Sequence, residues 1–199
     1  MEHLNHTLFL IINAPLQPSA AMLAFATFWA EYFILLMAPA FVLAWLRGTQ
    51  EARIALLQAS GATLAALAIN QLIGLAWQHP RPFMIGEGHT WLAHVADSSF
   101  PSDHLTVIWA VAFSLLWRPV TRKAGMALAL LGLPVAWARI YLGVHYPLDM
   151  PGAAMVAYCS AALLFLAPPQ RYLVRVGAFA TRIHRHLFGR WIARGWIRN

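Results

Sequence analysis

The sequence predicts an all-α fold: a polytopic membrane helix bundle of about five transmembrane helices, with a short N-terminal interfacial helix and a basic amphipathic C-terminal helix. Three observations carry this. Hydrophobic residues make up 60% of the 199 and charged residues only 11%, against roughly 25% charged in an average soluble domain. The mean hydropathy is +0.60. Five apolar stretches approach or exceed the roughly 20 residues a helix needs to cross a bilayer. Backbone polar groups in lipid must be bonded within the segment, which makes these stretches helices. A soluble globule this small has too much surface to cover with so few charges, so composition excludes that class and a disordered chain. The single cysteine, Cys159, excludes an intrachain disulfide framework and a cysteine-based zinc site.

Residues 4–14 are apolar but too short to cross; they read as an interfacial helix or as a plug against the bundle. No basic stretch precedes them, so a cleaved leader is not expected. The first span is 20–46, interrupted among full charges only by Glu31. The second is 54–77. The third is 105–117, extended by its flanks to 102–120. The fourth, 124–141, is expected to bend at Pro134, which lacks a backbone donor. The fifth is 150–167. Beyond it Tyr172, Val176, Phe179, Ile183, Leu187 and Trp191 recur every three or four residues among arginines, the pattern of a helix lying on an anionic inner leaflet. The chain therefore divides into a membrane-embedded domain, 1–170, and a basic amphipathic tail, 171–199.

Five crossings put the connections after spans one, three and five on the same side as the C-terminus. Twelve of the 14 Lys and Arg residues fall there, and the positive-inside rule makes that side cytoplasmic. The net charge of +7 is thus largely a membrane-surface charge. A nucleic-acid partner would need a soluble basic face, which is missing. Arg81 and Arg139 are the exceptions. They fall on the other face, where topology gives no reason for positive charge.

The same parity gathers the chemistry. Arg81, Ser102, Asp103, His104, Arg139, His145 and Asp149 all lie at or beside the two outward connections, 78–101 and 143–149. The arginines either pair with an acid (Asp149, Asp97 or Glu87) or clamp an anion, since guanidinium forks match phosphate oxygens. Pro101-Ser102 before an apolar run marks a helix start. Its free N–H groups suit an anion, although Ser102 also reads simply as an N-cap. His145 and Asp149 are four apart, close enough for the carboxylate to orient one ring nitrogen and leave the other as a nucleophile. A metal held by His104, His145 and Asp149 is the rival reading; two nearby arginines weigh against a divalent cation. Glu31, deep in span one where charge is expensive, is expected to pair with a pocket arginine or, protonated, to bond Asn70 or Gln71. Neighbouring Tyr32 is grouped with it as a candidate supporting residue.

Arg81-Pro82, Pro101-Ser102-Asp103-His104 and Arg139-x5-His145-x3-Asp149 together resemble the three-part signature of the type 2 phosphatidic acid phosphatase superfamily. The wording around the second and third motifs is similar to the bacterial undecaprenyl-diphosphatase branch. Three positions depart from the pattern: Gly74 where a Lys is usual, Asp103 for Gly, and Ala138 for Ser. Asp103 is shared with that branch; its carboxylate is expected to turn away, for instance onto an arginine, leaving its N–H for the anion.

The resemblance implies a lipid phosphatase needing no cofactor or metal. His145 is then the nucleophile, Asp149 its orienting acid and His104 the proton carrier. Arg81, Ser102, Asp103 (by its N–H) and Arg139 hold the phosphate. The implied substrate is a polyprenyl diphosphate, cleaved at the outer face of the bacterial inner membrane to recycle the cell-wall lipid carrier. Other lipid phosphatases (for phosphatidylglycerophosphate or phosphatidate), a lipid phosphotransferase and a non-catalytic lipid-binding or transport protein are the alternatives. The last has no use for two histidines and an aspartate at these spacings.

Overall fold

The computed structural model describes residues 2–166 and 170–198. Among them the only regular elements are helices: α1 (Glu2–Ile12), α2 (Ala20–Arg47), α3 (Gln50–Ala76), α4 (Asp103–Leu116), α5 (Arg122–Tyr141), α6 (Asp149–Leu166) and α7 (Gln170–Ala193). A short 3₁₀ turn, Pro82–Ile85, interrupts the loop between α3 and α4. The end of the fifth expected span at Ala167 lies outside the described residues, as does the chain just before the 170/171 boundary. Helices α2, α3, α5 and α6 are long and apolar enough to cross a membrane.

Local chemistry sets the helix ends. Ser19 caps α2 by accepting from the Met22 N–H at 3.2 Å, and Thr49 caps α3 by accepting from the Ala52 N–H at 3.2 Å. The Thr49 cap starts α3 four residues before the expected 54, because its first turn, with Glu51 and Arg53, is polar and hydropathy does not reveal it. Helix α5 runs unbroken through Pro134.

Helix α4 is shorter than the expected third span. Its 14 residues reach about 21 Å at 1.5 Å per residue, less than the ~30 Å hydrocarbon core. The extension to 120 is not helical: Pro119 cannot continue the ladder, and the Thr121 hydroxyl turns back onto the Leu115 carbonyl at 2.8 Å. Leu105, Ile108, Ala110 and Ala112 of α4 are fully enclosed, so α4 is the axis of the bundle, surrounded by α3, α5 and α6. Alanines dominate the seams: Ala59, Ala62 and Ala66 of α3, and Ala153, Ala157 and Ala161 of α6, are all buried. Small side chains let helices approach closely in lipid, where apolar burial alone gives no drive to associate.

Two further elements dock on this bundle. Helix α1 is a plug rather than a floating interfacial helix. Phe9 is fully buried in the central core, and Asn13 bonds the Tyr141 carbonyl at 3.1 Å. Helix α7 packs on the start of α3 through Thr181 to Gln50 (2.6 Å) and His184 to Arg53 (2.9 Å). The apolar stripe of the tail, with Val176, Phe179, Ile183, Leu187 and Trp191, stays exposed.

Candidate active site

The turn between α5 and α6 places His145 and Asp149. It depends on Gly143, which has φ +80°; a Cβ there would stand 2.3 Å from the His89 carbonyl oxygen. Only glycine fits both demands. Asp149 opens α6, and its Oδ2 lies 3.0 Å from His145 Nδ1. A carboxylate only accepts, so Nδ1 carries the proton and Nε2 is left with a free lone pair. The same Oδ2 accepts from the Tyr146 N–H at 2.8 Å and, in a short hydrogen bond, from the Ser99 hydroxyl. His145, Asp149 and Ser99 are essentially inaccessible to solvent.

Both arginines close on Nε2. An Nη of Arg81 is 3.0 Å from it and an Nη of Arg139 3.4 Å. Arg81 is held on every side. Its Nε donates to Asp97 at 2.8 Å, one Nη to the Val144 carbonyl at 2.8 Å and the other to the Ser98 carbonyl at 3.2 Å. Asp97 is thus the acid among the three sequence candidates that serves an arginine; Glu87 goes instead to Tyr146 and His6. Among the described residues Arg139 has no carboxylate hydrogen-bonded to it. It donates to the Ala30 carbonyl at 3.1 Å and to His94 Nε2 at 3.0 Å, and its buried Nε is unpaired.

Burial, reinforced by the charges of Arg139 and Arg81 and by His94 and His104, holds the His145 imidazole well below the usual histidine range. The imidazole is therefore neutral at physiological pH. Burial also lowers His94, against an opposing hydrogen bond to the Val95 carbonyl. It raises Tyr146, together with the Glu87 carboxylate that accepts its hydroxyl proton.

Ser102 directly precedes α4. Its hydroxyl makes no cap bond, is fully buried and has no partner. His104 is partly buried in the first turn of α4, close enough to His145 to disfavour charge on it. The Asp103 carboxylate accepts not from an arginine, as expected, but from amides: Asn70 Nδ2 at 2.7 Å and Gln71 Nε2 at 3.4 Å. These contacts occupy the amides expected for Glu31, which lies in a π-helical turn, Phe28–Tyr32. Arg139 takes the Ala30 carbonyl from that turn rather than the Glu31 carboxylate. Tyr32 is 54% exposed on the outside of α2. Hydrogen bonds therefore bring together Arg81, Arg139, His145 and Asp149, and His104 lies close enough to act on His145. Among the described residues Glu31 and Tyr32 make no such bond to the site, although the Glu31 carboxylate acts on Arg139 through space. At Gly74 a Cβ would touch Ser98 at 3.4 Å. The Ser98 side chain thus lies beside the place where the usual Lys would begin, and the Ser98 carbonyl accepts from Arg81.

Sequence reasoning missed Ser99 and His94. Neither lies in a motif at diagnostic spacing, and both reach the site through the folding of an irregular loop. The rival metal reading gains no support: among the described residues no group of three or more His, Cys, Asp or Glu is placed to hold an ion.

A buried imidazole oriented by a carboxylate, with two guanidinium groups on its free nitrogen inside a membrane helix bundle, defines a membrane enzyme built for phosphoryl transfer. The PAP2 superfamily model matches residues 55–173, and the chain belongs to that superfamily. It is 36% identical over 162 residues to undecaprenyl-diphosphatase BcrC of Bacillus subtilis (strain 168), covering 81% of this chain and 83% of that one. It is 34% identical over 203 residues to YbjG of Escherichia coli (strain K12), covering all of both chains. The crystal structure of Aquifex aeolicus LpxE shares the fold, with a TM-score of 0.68 at 20% identity over 82% of this chain and 96% of that one.

Proposed function

We propose that this chain, a lipid phosphatase, hydrolyses the terminal phosphate of undecaprenyl diphosphate at the outer face of the bacterial inner membrane, through a phosphohistidine. The observation that carries the chemistry is His145 Nε2, deprotonated, buried and within 3.0 and 3.4 Å of guanidinium nitrogens of Arg81 and Arg139. The N–H groups that now face the lone pair are those that would surround oxygens on a phosphorus bonded to it. Two buried donors, the Ser102 hydroxyl and Arg139 Nε, have no partner among the described residues. Unpaired buried donors are costly, and phosphate oxygens would satisfy them.

In the reaction, Nε2 attacks the terminal phosphorus in line as the bridging P–O bond breaks. Asp149 steadies the imidazolium that forms. Arg81, Arg139, Ser102 and the first-turn N–H groups of α4, that of Asp103 among them, stabilise the equatorial oxygens. His104 protonates the departing lipid monophosphate, then takes a proton from water as that water attacks the phosphohistidine and releases inorganic phosphate. No step is assigned to a metal. The site's place at one end of the bundle, where a lipid head could reach the cup with its tail still in the membrane, and the BcrC relative support this substrate. The basic tail, on this reading, faces the cytoplasm and rests on the anionic inner leaflet.

Purified protein in detergent with a chelator should release phosphate from undecaprenyl diphosphate faster than from phosphatidylglycerophosphate or phosphatidate. His145→Ala should abolish both turnover and an acid-labile phosphoenzyme. Turnover retained in that variant would falsify the nucleophile assignment, and loss in chelator would revive the metal reading.

A further inference from the structure

The family match begins at residue 55, yet helix α1, more than forty residues upstream, is bonded into the turn that carries the nucleophile. Asn5, itself buried, accepts from the Leu148 N–H at 2.9 Å. His6 Nδ1 lies 2.6 Å from Glu87 Oε2, and the Tyr146 hydroxyl donates to that same oxygen at 2.6 Å. The Tyr146 ring is fully buried, with Phe9 and His6 of α1 edge-on at 5.3 and 5.1 Å and His79 at 5.5 Å. Glu2, one turn before His6, faces His79 at 3.4 Å. At Gly88, φ is +66° and a Cβ would stand 2.7 Å from the Phe9 ring, so α1 presses directly on the loop that carries Glu87.

Tyr146 is the link to chemistry. Its hydroxyl is tied to Glu87 and through it to α1, while its N–H donates at 2.8 Å to the Asp149 oxygen that orients His145. Leu148, whose N–H is held by Asn5, is the residue immediately before Asp149. The backbone leading into the catalytic acid is thus held from outside the family segment, at Tyr146 through Glu87 and at Leu148 through Asn5. An error of an ångström in a catalytic carboxylate lowers rate far more than it lowers binding, because its role is realised as imidazolium charge develops.

Resting on the phosphohistidine reading above, we propose that Asn5 and His6 of the N-terminal helix are positioning residues for catalysis. They hold the Tyr146–Leu148 turn so that Asp149 keeps His145 in its attacking tautomer and orientation. They touch neither substrate nor the reacting atoms, so they govern kcat rather than KM.

The test measures kcat, KM and thermal midpoint of the full chain in detergent with undecaprenyl diphosphate. Asn5→Ala and His6→Ala should each lower kcat about tenfold, the effect of losing one hydrogen bond that shapes the transition state, with KM within twofold of wild type. Asn5→Asp, which keeps the acceptor oxygen, and His6→Gln, which keeps a donor toward Glu87, should return kcat to within threefold. Thr7→Ala, on the exposed face of α1, should match wild type. Unchanged kcat in both alanine variants overturns the inference. So does a loss that follows the thermal midpoint and is not recovered by Asn5→Asp or His6→Gln, which would make α1 only a structural plug. If wild type releases no more phosphate than His145→Ala, the phosphatase reading itself falls, and this inference falls with it.

Discussion

Ser99→Ala is the most informative single change at the site, because it removes one defined bond from one atom. Asp149 Oδ2 accepts from the Ser99 hydroxyl, the Tyr146 N–H and His145 Nδ1. A hydrogen bond to a charged group contributes about 1.5–3 kcal/mol, and each ~1.4 kcal/mol is tenfold in rate. The two remaining donors stay on the same oxygen and limit the damage. The expected loss is therefore at the lower end, about ten- to thirtyfold in kcat with KM nearly unchanged. The assay is phosphate release from a polyprenyl diphosphate by Ser99→Ala, Asp149→Asn and the double variant, with thermal midpoints recorded alongside. If Ser99 acts through Asp149, the double variant is no slower than Asp149→Asn alone. Multiplying losses would refute the argument and give Ser99 a separate contact with substrate or with His145, whose Nδ1 is 3.4 Å from its hydroxyl.

The remaining predictions concern charge and topology. By ¹⁵N NMR of labelled histidines, the resonance missing from His145→Ala should stay a neutral Nδ1–H imidazole at pH 6. Its folded pKa is depressed below an unfolded value of about 6.5, so protonation is linked to unfolding and its contribution to stability is lost as pH falls below that value. A titration midpoint at 6.5 would contradict the burial argument. Arg139→Lys should lower kcat/KM about a hundredfold, since an ammonium cannot bridge the Ala30 carbonyl, His94 and an anion at once; near-wild-type activity would remove Arg139 from the phosphate cup. A cysteine at Val95, which is 73% exposed, in a Cys159→Ser background should react with an impermeant thiol reagent in intact cells. Labelling only after lysis would invert the proposed orientation.

The parts of the molecule legible in the sequence are those set by short-range spacing. His145 and Asp149 are four apart and meet within one turn; Pro101-Ser102 starts α4 where an apolar run begins; span parity alone puts Arg81 and Arg139 at one end. What was not legible depends on tertiary closure. Ser99 and His94 are ordinary residues of an irregular loop until that loop folds over His145 and Arg139. Glu31 showed where an intramembrane polar contact would be, but not that the backbone would make it. The π-helical turn changes the register by one residue, and hydrophobic periodicity does not encode such a turn. The length of α4 was overestimated because an enclosed axial helix and a lipid-facing span are equally apolar.

The two arginines do different work, and the asymmetry follows from what holds each of them. Asp97, Ser98 and Val144 engage every nitrogen of the Arg81 guanidinium, so it is fixed before any ligand arrives. Such a group supplies a preorganised field, but it has few unused donors. Among the described residues Arg139 is hydrogen-bonded to neutral groups, the Ala30 carbonyl, His94 and His145, and its buried Nε–H has no partner. A buried guanidinium with no carboxylate hydrogen-bonded to it gains most when an anion enters. On the proposed mechanism, Arg81 would therefore be the template against which the phosphorus is aligned, and Arg139 the group whose charge and unpaired donor draw the phosphate in. The absence of the usual Lys at position 74 fits this division. The Ser98 side chain lies beside that position, and the Ser98 carbonyl holds Arg81 in place without adding a third positive charge.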